Sequence, residues 1–153
     1  RYDHALDHFG ALLEEVEDWM SVILNDDVVI SDNFCSALAE TMERYDVDVV
    51  SGGQFEMFDK KPPHQIRLDM RPNGWAVGIR GNSYLRFDES MKVWYSDDDM
   101  WQQSLQGRGY ALTRKAWAKN LDENGHFSVS EWWQEQAGRD RETFKKKWSY
   151  YSW

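Results

Sequence analysis

The sequence predicts an α/β fold, because helical and strand-like patterns alternate along its first third. A helical pattern, a short apolar run, a second helical pattern and a second apolar run follow one another, an order typical of a sheet flanked by helices. The chain has 153 residues, which is the length of a single domain. Hydrophobic residues make up 41% of it, enough for one buried core.

The first two predicted elements are a helix and a strand. Apolar residues recur at helical spacing over residues 2–19, with acidic residues on the other faces, which indicates an amphipathic helix. Residues 20–24 form a continuous apolar run that is too short for a free-standing helix. We therefore expect a strand covered on both faces, ended by the polar residues 25–27.

A second helix and a second strand follow. Ser31, Asp32 or Asn33 is expected to cap the helix. Four apolar residues of this helix share one side: Phe34, Leu38, Met42 and Tyr45. Residues 47–50 predict the strand, and the glycines at 52–53 are expected to close it.

The middle of the chain has a different character. Residues 54–88 contain all three prolines, and strand-like runs at 65–70 and 76–80 alternate with turn signals. We expect meandering strands and loops in this region.

The last third returns to longer regular elements. The patterns predict a helix over residues 97–106, a strand over 110–113 and a helix over 130–148. Four apolar residues align along the last helix: Trp133, Ala137, Phe144 and Trp148.

The overall charge is acidic and narrows the range of partners. The 27 acidic and 18 basic residues give a net charge of −9, which argues against a protein that tracks nucleic-acid phosphates and fits a cation site. The C-terminal segment is nevertheless basic, with Arg139, Arg141 and three lysines at 145–147. Such a run is typical of a solvated helix face or, alternatively, of a surface that meets an anionic partner.

Cysteine and hydropathy patterns bear on the compartment. Cys35 is the only cysteine, so no internal disulfide can form, and we expect a reducing, cytoplasmic environment. No apolar run approaches the roughly 20 residues of a membrane span, and no signal peptide is visible. We therefore expect no transmembrane segment.

Two acidic clusters are the candidate functional residues, and they lie far apart in the chain: Asn25-Asp26-Asp27 and Asp97-Asp98-Asp99. Each has a structural alternative, since the first can form a turn and the second can stabilise a helix start. Ligands of open α/β sheets, however, bind beyond the carboxyl ends of strands, where the first cluster would lie. Its oxygen ligands suit Mg²⁺ or Mn²⁺, and these ions suit a diphosphate.

The chain resembles GT-A glycosyltransferases of the family 2 type. The stretch VILNDDVVISDNF is similar to their metal-binding strand end, in which Asp-x-Asp or Asn-x-Asp follows an apolar strand. The stretch YLRFDESMKVWYSDDDMWQQSLQGRGY is similar to their second signature, in which Phe-Asp-Glu precedes Glu-Asp-x-Asp-Leu, a helix and a glycine. The resemblance covers residues 19–126 and implies a partial GT-A-like, Rossmann-like mixed sheet flanked by helices, with a C-terminal helix beyond it.

The resemblance also implies roles at the first cluster. Asp27 matches the aspartate that binds Mn²⁺ or Mg²⁺, and Asn25 or Asp26 lies near the ribose or a metal-bound water. His126 matches a histidine that touches metal or phosphate in many relatives. These residues would hold the nucleoside-diphosphate sugar.

The resemblance implies that the second cluster supplies the general base. Asp97 matches the general base of the family, and Asp98 is the alternative if the register differs by one, because Ser96 stands where the family has Glu. Asp99 is expected to hold the helix that aims Asp97. Trp94 and Tyr95 lie beside the base and are expected to contact the acceptor.

Together these assignments imply a metal-dependent inverting glycosyltransferase that moves a sugar to an acceptor hydroxyl. Its relatives begin with a nucleotide-recognising strand, so we expect residues 1–153 to be the C-terminal, acceptor-side part of a longer domain. The strand at 20–24 would then pair with an N-terminal segment or with a second copy. A non-catalytic carbohydrate- or cation-binding module and a two-carboxylate glycoside hydrolase are the alternatives.

Overall fold

The computed structural model describes residues 19–54, 64–65, 74–121 and 130–149. Its elements are β1 (Met20–Leu24), β2 (Val28–Ile30), α1 (Phe34–Tyr45), β3 (Val49–Gln54), β4 (His64–Gln65), β5 (Ala76–Arg80), α2 (Ser96–Gln106), β6 (Tyr110–Asn120) and α3 (Glu131–Lys147). The α/β class is therefore confirmed. The helix predicted over 2–19 lies outside the described residues except for Trp19, and so does most of the strand predicted over 65–70.

The strands form one mixed sheet in the order β1-β5-β3-β6-β2, and β4 also pairs with β6. Only the β3–β6 pair is parallel among these neighbours, while the other pairs are antiparallel. Because β1 and β3 both run antiparallel to β5, their carboxyl ends lie at the same edge of the sheet. That edge is where a ligand is expected in an open α/β sheet.

The core lies on both faces of the sheet because successive strand residues point in opposite directions. Val50 packs with the buried face of α1 in one cluster. Its neighbour Val49 packs with Met100 of α2 in another. The predicted apolar side of α1 is confirmed, with Phe34, Leu38 and Met42 buried.

The strand predicted over 47–50 is longer than expected, because β3 continues through both glycines. A side chain at Gly52 would collide with the ring of Phe34. The glycine therefore allows α1 to pack closely on the strand, and it does not end the strand. Glycine serves both in turns and where two elements pack closely, so the sequence alone did not distinguish these two roles at Gly52.

The prediction that β1 is covered on both faces is wrong. Its residues are half-buried, and Leu24 is 41% exposed. Met20 and Ile23 contact the two different core clusters, which explains the continuous apolar run. β1 lies at the end of the strand order, however, so within the described sheet it pairs with β5 alone.

The predicted capping residues of α1 have other partners. Asn33 is the N-cap, yet its side chain makes no capping hydrogen bond. Its amide donates instead to the carbonyl oxygen of Lys115 at 3.0 Å. The Ser31 hydroxyl accepts from the backbone N–H of Trp117 at 3.2 Å. Both residues therefore join the start of α1 to β6.

β6 extends from the predicted strand at 110–113 to Asn120. Its pairing with β3 shifts after Gly52, so that Gly53 pairs with Trp117. This bulge turns the second half of β6 toward β2, which pairs with residues 118–120. The extension was hidden in the sequence because residues 114–115 are a charged pair, Arg-Lys, within the strand.

α3 confirms the predicted C-terminal helix, and the side chain of its N-cap Ser130 accepts a hydrogen bond from the Trp133 N–H. Phe144 and Trp148 are buried against Met91. The three lysines of its last turn are exposed, as expected for a solvated basic face, and Lys147 also makes an ion pair with buried Asp99. None of the helices in the described ranges is long and apolar enough to cross a bilayer.

Candidate functional site

The first acidic cluster lies at the carboxyl end of β1. The register pairs Leu24 with Ala76, and the N–H of Asn25 continues this pairing by donating to the carbonyl oxygen of Trp75 at 3.0 Å. Asp26 is exposed in the turn that leads to β2. The turn is therefore attached to the residues that precede β5.

The second cluster packs against Gly74, the residue before Trp75. A Cβ atom placed on Gly74 would lie 2.5 Å from Cβ of Asp97, well inside contact distance. Since Trp75 binds Asn25, the dipeptide Gly74-Trp75 contacts both clusters. Asn25 and Asp97 therefore both lie beside the residues that precede β5, at one edge of the sheet.

Asp27 has a carboxylate oxygen suited to a cation. Its Oδ1 is buried and has no hydrogen-bond partner among the described residues. The backbone carbonyl of Asp27 accepts from the N–H of Leu121 at 2.8 Å, which attaches the turn to the end of β6. A buried carboxylate oxygen without a donor is costly unless something satisfies it, and a hard cation does so.

Asp27 is the one carboxylate with an unsatisfied buried oxygen in the described part of this turn. Within the described ranges no three His, Cys, Asp or Glu side chains come together as a metal cage. Mg²⁺ is usually held by one or two carboxylates, several waters and substrate phosphates. Asp27 can supply one such carboxylate. His126, the other predicted ligand, lies outside the described residues.

Asp97 presents an open carboxylate. It lies in the first turn of α2. Its side chain is half-buried and makes no hydrogen bond or ion pair within the described part of the chain. A carboxylate held in place but left without a donor is able to accept a proton from a bound hydroxyl.

Asp99 is buried, and both of its carboxylate oxygens accept hydrogen bonds. It is 0% exposed, and its Oδ1 accepts from the indole N–H of Trp148 at 2.7 Å. Its Oδ2 accepts from Lys147 Nζ at 2.9 Å and from Gln103 Nε2 at 2.8 Å. These bonds join the first turn of α2 to the end of α3, so Asp99 positions the helix that carries Asp97.

The ammonium group of Lys147 lies between two carboxylates. It is 2.9 Å from Asp99 and 3.2 Å from Asp88. Burial alone would lower the pKa of Lys147, but the hydrogen bonds and charges of Asp99 and Asp88 outweigh burial and raise the pKa above its ordinary value. The ammonium therefore stays charged and holds Asp99 in place at physiological pH.

Asp140 fixes the segment that precedes α2, although sequence reasoning missed it. Its Oδ2 accepts from three consecutive backbone N–H groups, those of Lys92, Val93 and Trp94, at 3.0, 2.7 and 2.9 Å. Its Oδ1 accepts from the side-chain amide of Gln136 at 2.7 Å. Burial alone would raise the pKa of Asp140, but these donors lower it below its ordinary value.

A signal for Asp140 exists in the sequence. Asp140 falls on the same helical stripe as Trp133, Ala137 and Phe144, and an acid on an apolar stripe must find buried donors. The signal was obscured because Arg139 and Arg141 flank Asp140 and suggested a solvated face. Gly74 carried only a turn signal, which predicts a bend but no contact.

Tyr95 holds a strained backbone at the start of α2. Its φ is 69°, in the left-handed region that non-glycine residues seldom occupy. The ring of Tyr95 stacks on Phe144 with centroids 5.2 Å apart, and the carbonyl of Tyr95 accepts from the N–H of Asp99 at 2.8 Å. Packing against α3 therefore maintains the conformation.

A cleft of about 490 Å³ opens between the start of α2 and α3. Its lining comprises Trp94, Tyr95, Asp98, Ala137, Gly138 and Arg141. The two aromatic residues predicted to contact an acceptor are thus together in one cavity. Asp98 also faces it, although its side chain is mostly buried, with 8% exposed.

Comparisons of the chain with models of protein families, with curated proteins and with solved structures find no match.

Proposed function

We propose that this protein is the metal- and acceptor-side part of an inverting, GT-A-like glycosyltransferase. It would transfer a sugar from a nucleoside-diphosphate sugar to an acceptor hydroxyl. The observation that supports the proposal is that both acidic clusters contact the dipeptide Gly74-Trp75, one through Asn25 and the other through Asp97. A turn and a helix start that served only their own elements would have no reason to converge.

Asp97 acts as the general base in this proposal. It accepts the proton of the acceptor hydroxyl while that oxygen attacks the anomeric carbon and the bond to the diphosphate breaks. The configuration inverts because a single displacement takes place. The free carboxylate of Asp97, set in a helix whose first turn is anchored by Asp99, supports this role.

Asp27 acts as the metal ligand, supported by its orphaned Oδ1. A bound Mn²⁺ or Mg²⁺ supplies charge stabilisation for the departing diphosphate. Asn25 and Asp26, exposed in the same turn, are placed to contact the ribose or a metal-bound water. The turn is anchored through backbone bonds to Trp75 and Leu121, so its side chains remain available.

A non-catalytic carbohydrate-binding module is the second candidate. The observation that favours it is the aromatic-lined cleft beside α3, which includes neither Asp27 nor Asp97. Such a module would bind a sugar without metal and without turnover. Metal-dependent release of nucleoside diphosphate separates the two functions.

The test measures release of nucleoside diphosphate from a panel of nucleotide sugars, with Mn²⁺ or with a chelator, using the full-length protein. We expect turnover only with the metal. Asp27→Asn should abolish it, because an amide lacks the charge that binds the cation. Asp32→Asn, a nearby exposed aspartate, is the matched control and should retain activity. Full turnover by Asp27→Asn would refute the metal role.

A further inference from the structure

The cleft beside α3 contains a glycine that the protein's own packing does not explain. Gly138 lies within α3, where glycine destabilises a helix relative to alanine. A Cβ atom placed there would find no protein atom within 4 Å. Unlike Gly74, it makes room for no neighbouring side chain of the described protein, and the space above it belongs to the cleft.

The opposite wall of the cleft is a fixed aromatic surface. Trp94 is 43% exposed, and Trp133 packs against it edge to face with ring centroids 5.3 Å apart. The backbone N–H of Trp94 donates to the carboxylate of Asp140 at 2.9 Å. An exposed indole held by both its ring and its backbone loses little entropy when a ligand stacks on it.

Arg141 supplies a cation that the protein leaves unused. Three other basic residues of α3 have acidic partners: Arg139 with Glu135, Lys145 with Glu142, and Lys147 with Asp99. Arg141 lines the cleft, and it forms no ion pair with any residue in the described ranges. A guanidinium group binds carboxylate and phosphate groups through paired N–H donors.

We propose that this cleft binds one ring of the acceptor glycan and that this ring carries an acidic substituent. The ring lies over Gly138 and stacks on Trp94, Arg141 binds its carboxylate or phosphate, and Asp98 accepts a hydroxyl hydrogen. The volume of about 490 Å³ admits a sugar ring with its substituent. The inference rests on the proposed function only in identifying the bound glycan as the acceptor, since binding of the acidic ring requires no nucleotide-sugar donor.

The test measures binding of three probes to the full-length protein by saturation-transfer NMR without nucleotide or metal. The probes are methyl glucuronide, glucose 6-phosphate and neutral methyl glucoside. We expect one of the charged probes to bind at least tenfold more tightly than the neutral one. A preference for glucuronide identifies a uronic acid, and a preference for glucose 6-phosphate identifies a phosphorylated sugar. Equal binding of all three, or no binding, would overturn the proposal.

Substitutions in α3 test whether the probes bind in this cleft. Arg141→Gln should weaken the charged probe about tenfold or more, whereas Arg139→Gln, the control on the same helix, should leave it unchanged. Gly138→Leu should remove binding of every probe by filling the space. Gly138→Ala should raise the melting temperature by about 2–4 °C while weakening binding. Equal effects of the two arginine variants, or unchanged binding in Gly138→Leu, would contradict the site.

The two proposals fail separately. If the probes bind as described but no nucleotide sugar is turned over, the cleft stands and the glycosyltransferase proposal falls. If turnover depends on metal and Asp97 but Arg141→Gln changes neither probe binding nor the Michaelis constant for charged acceptors, the acidic-acceptor inference falls alone.

Discussion

Two pairs of aspartates in this protein have the same type of side chain but different surroundings. Asp99 and Asp140 are 0% exposed, and each accepts hydrogen bonds on both carboxylate oxygens. Asp27 has a buried oxygen that meets no donor in the described ranges, and Asp97 has a carboxylate without a partner there. The first pair holds elements together, and the second lies at the sheet edge where the clusters converge.

The difference separates stability from function. A buried carboxylate with full hydrogen bonding stabilises the ionised form and the elements that supply the donors. A held carboxylate without donors adds little to stability but is ready to bind a cation or a proton. Substitutions in the first pair should therefore reduce the stability of the fold, and those in the second pair should reduce activity alone.

Among the substitutions in α2, Asp97→Asn should give the largest effect on activity. We expect kcat to fall about 10²- to 10⁴-fold, since an amide cannot accept the acceptor's proton, while the melting temperature and donor binding stay near wild type. Steady-state kinetics and thermal unfolding check both parts. If Asp98→Asn causes the loss and Asp97→Asn does not, the neighbouring residue is the base.

Asp99→Ala should give the largest loss of stability. It leaves the indole N–H of Trp148 without its acceptor and the ammonium of Lys147 with Asp88 as its remaining partner, and we expect the free energy of unfolding to fall by about 2–4 kcal/mol. Denaturant unfolding measures it. Combining the change with Lys147→Met should recover part of the loss, because the ammonium that has lost one of its two carboxylates is then removed. No recovery would argue against the ion pair as the source.

Gly74→Ala tests the point where the two clusters meet. The added methyl group would overlap Asp97, so we expect displacement of the base, a loss of up to about 10²-fold in kcat and a modest loss of stability. Wild-type kcat in Gly74→Ala would show that Asp97 needs no such contact.

Asp140 should give a smaller effect that depends on pH. Its pKa is lower in the folded protein than in the unfolded chain, so its contribution is fully present above pH of about 4 and is lost as pH falls through the folded pKa. Asp140→Asn should cost about 1–3 kcal/mol at pH 7 by leaving a backbone donor unsatisfied. The difference from wild type should shrink in acid denaturation at low pH. A constant difference across pH would contradict the role of the charge.

The described helices and their apolar sides were determined by local sequence. Apolar spacing predicted α1, α2 and α3 to within a residue or two where bounds were stated, because helical periodicity is a property of neighbouring residues. The same logic identified the short apolar strand β1 and placed Asn25, Asp26 and Asp27 at its end. These features need no knowledge of the rest of the chain.

Pairing between distant segments was decided only by the tertiary structure. Whether β1 is central or at an edge depends on its neighbours, and the continuous apolar run gave the wrong answer for Leu24. The placement of Asn25 and Asp97 depends on the segment before β5, because Trp75 binds Asn25 and Gly74 packs against Asp97. The burial of Asp99 and Asp140 likewise depends on how α3 docks, and so does the absence of an ion pair at Arg141 within the described ranges. A residue's type sets what its side chain is able to bind, and only its spatial neighbours decide whether that capacity is satisfied internally or left for a ligand.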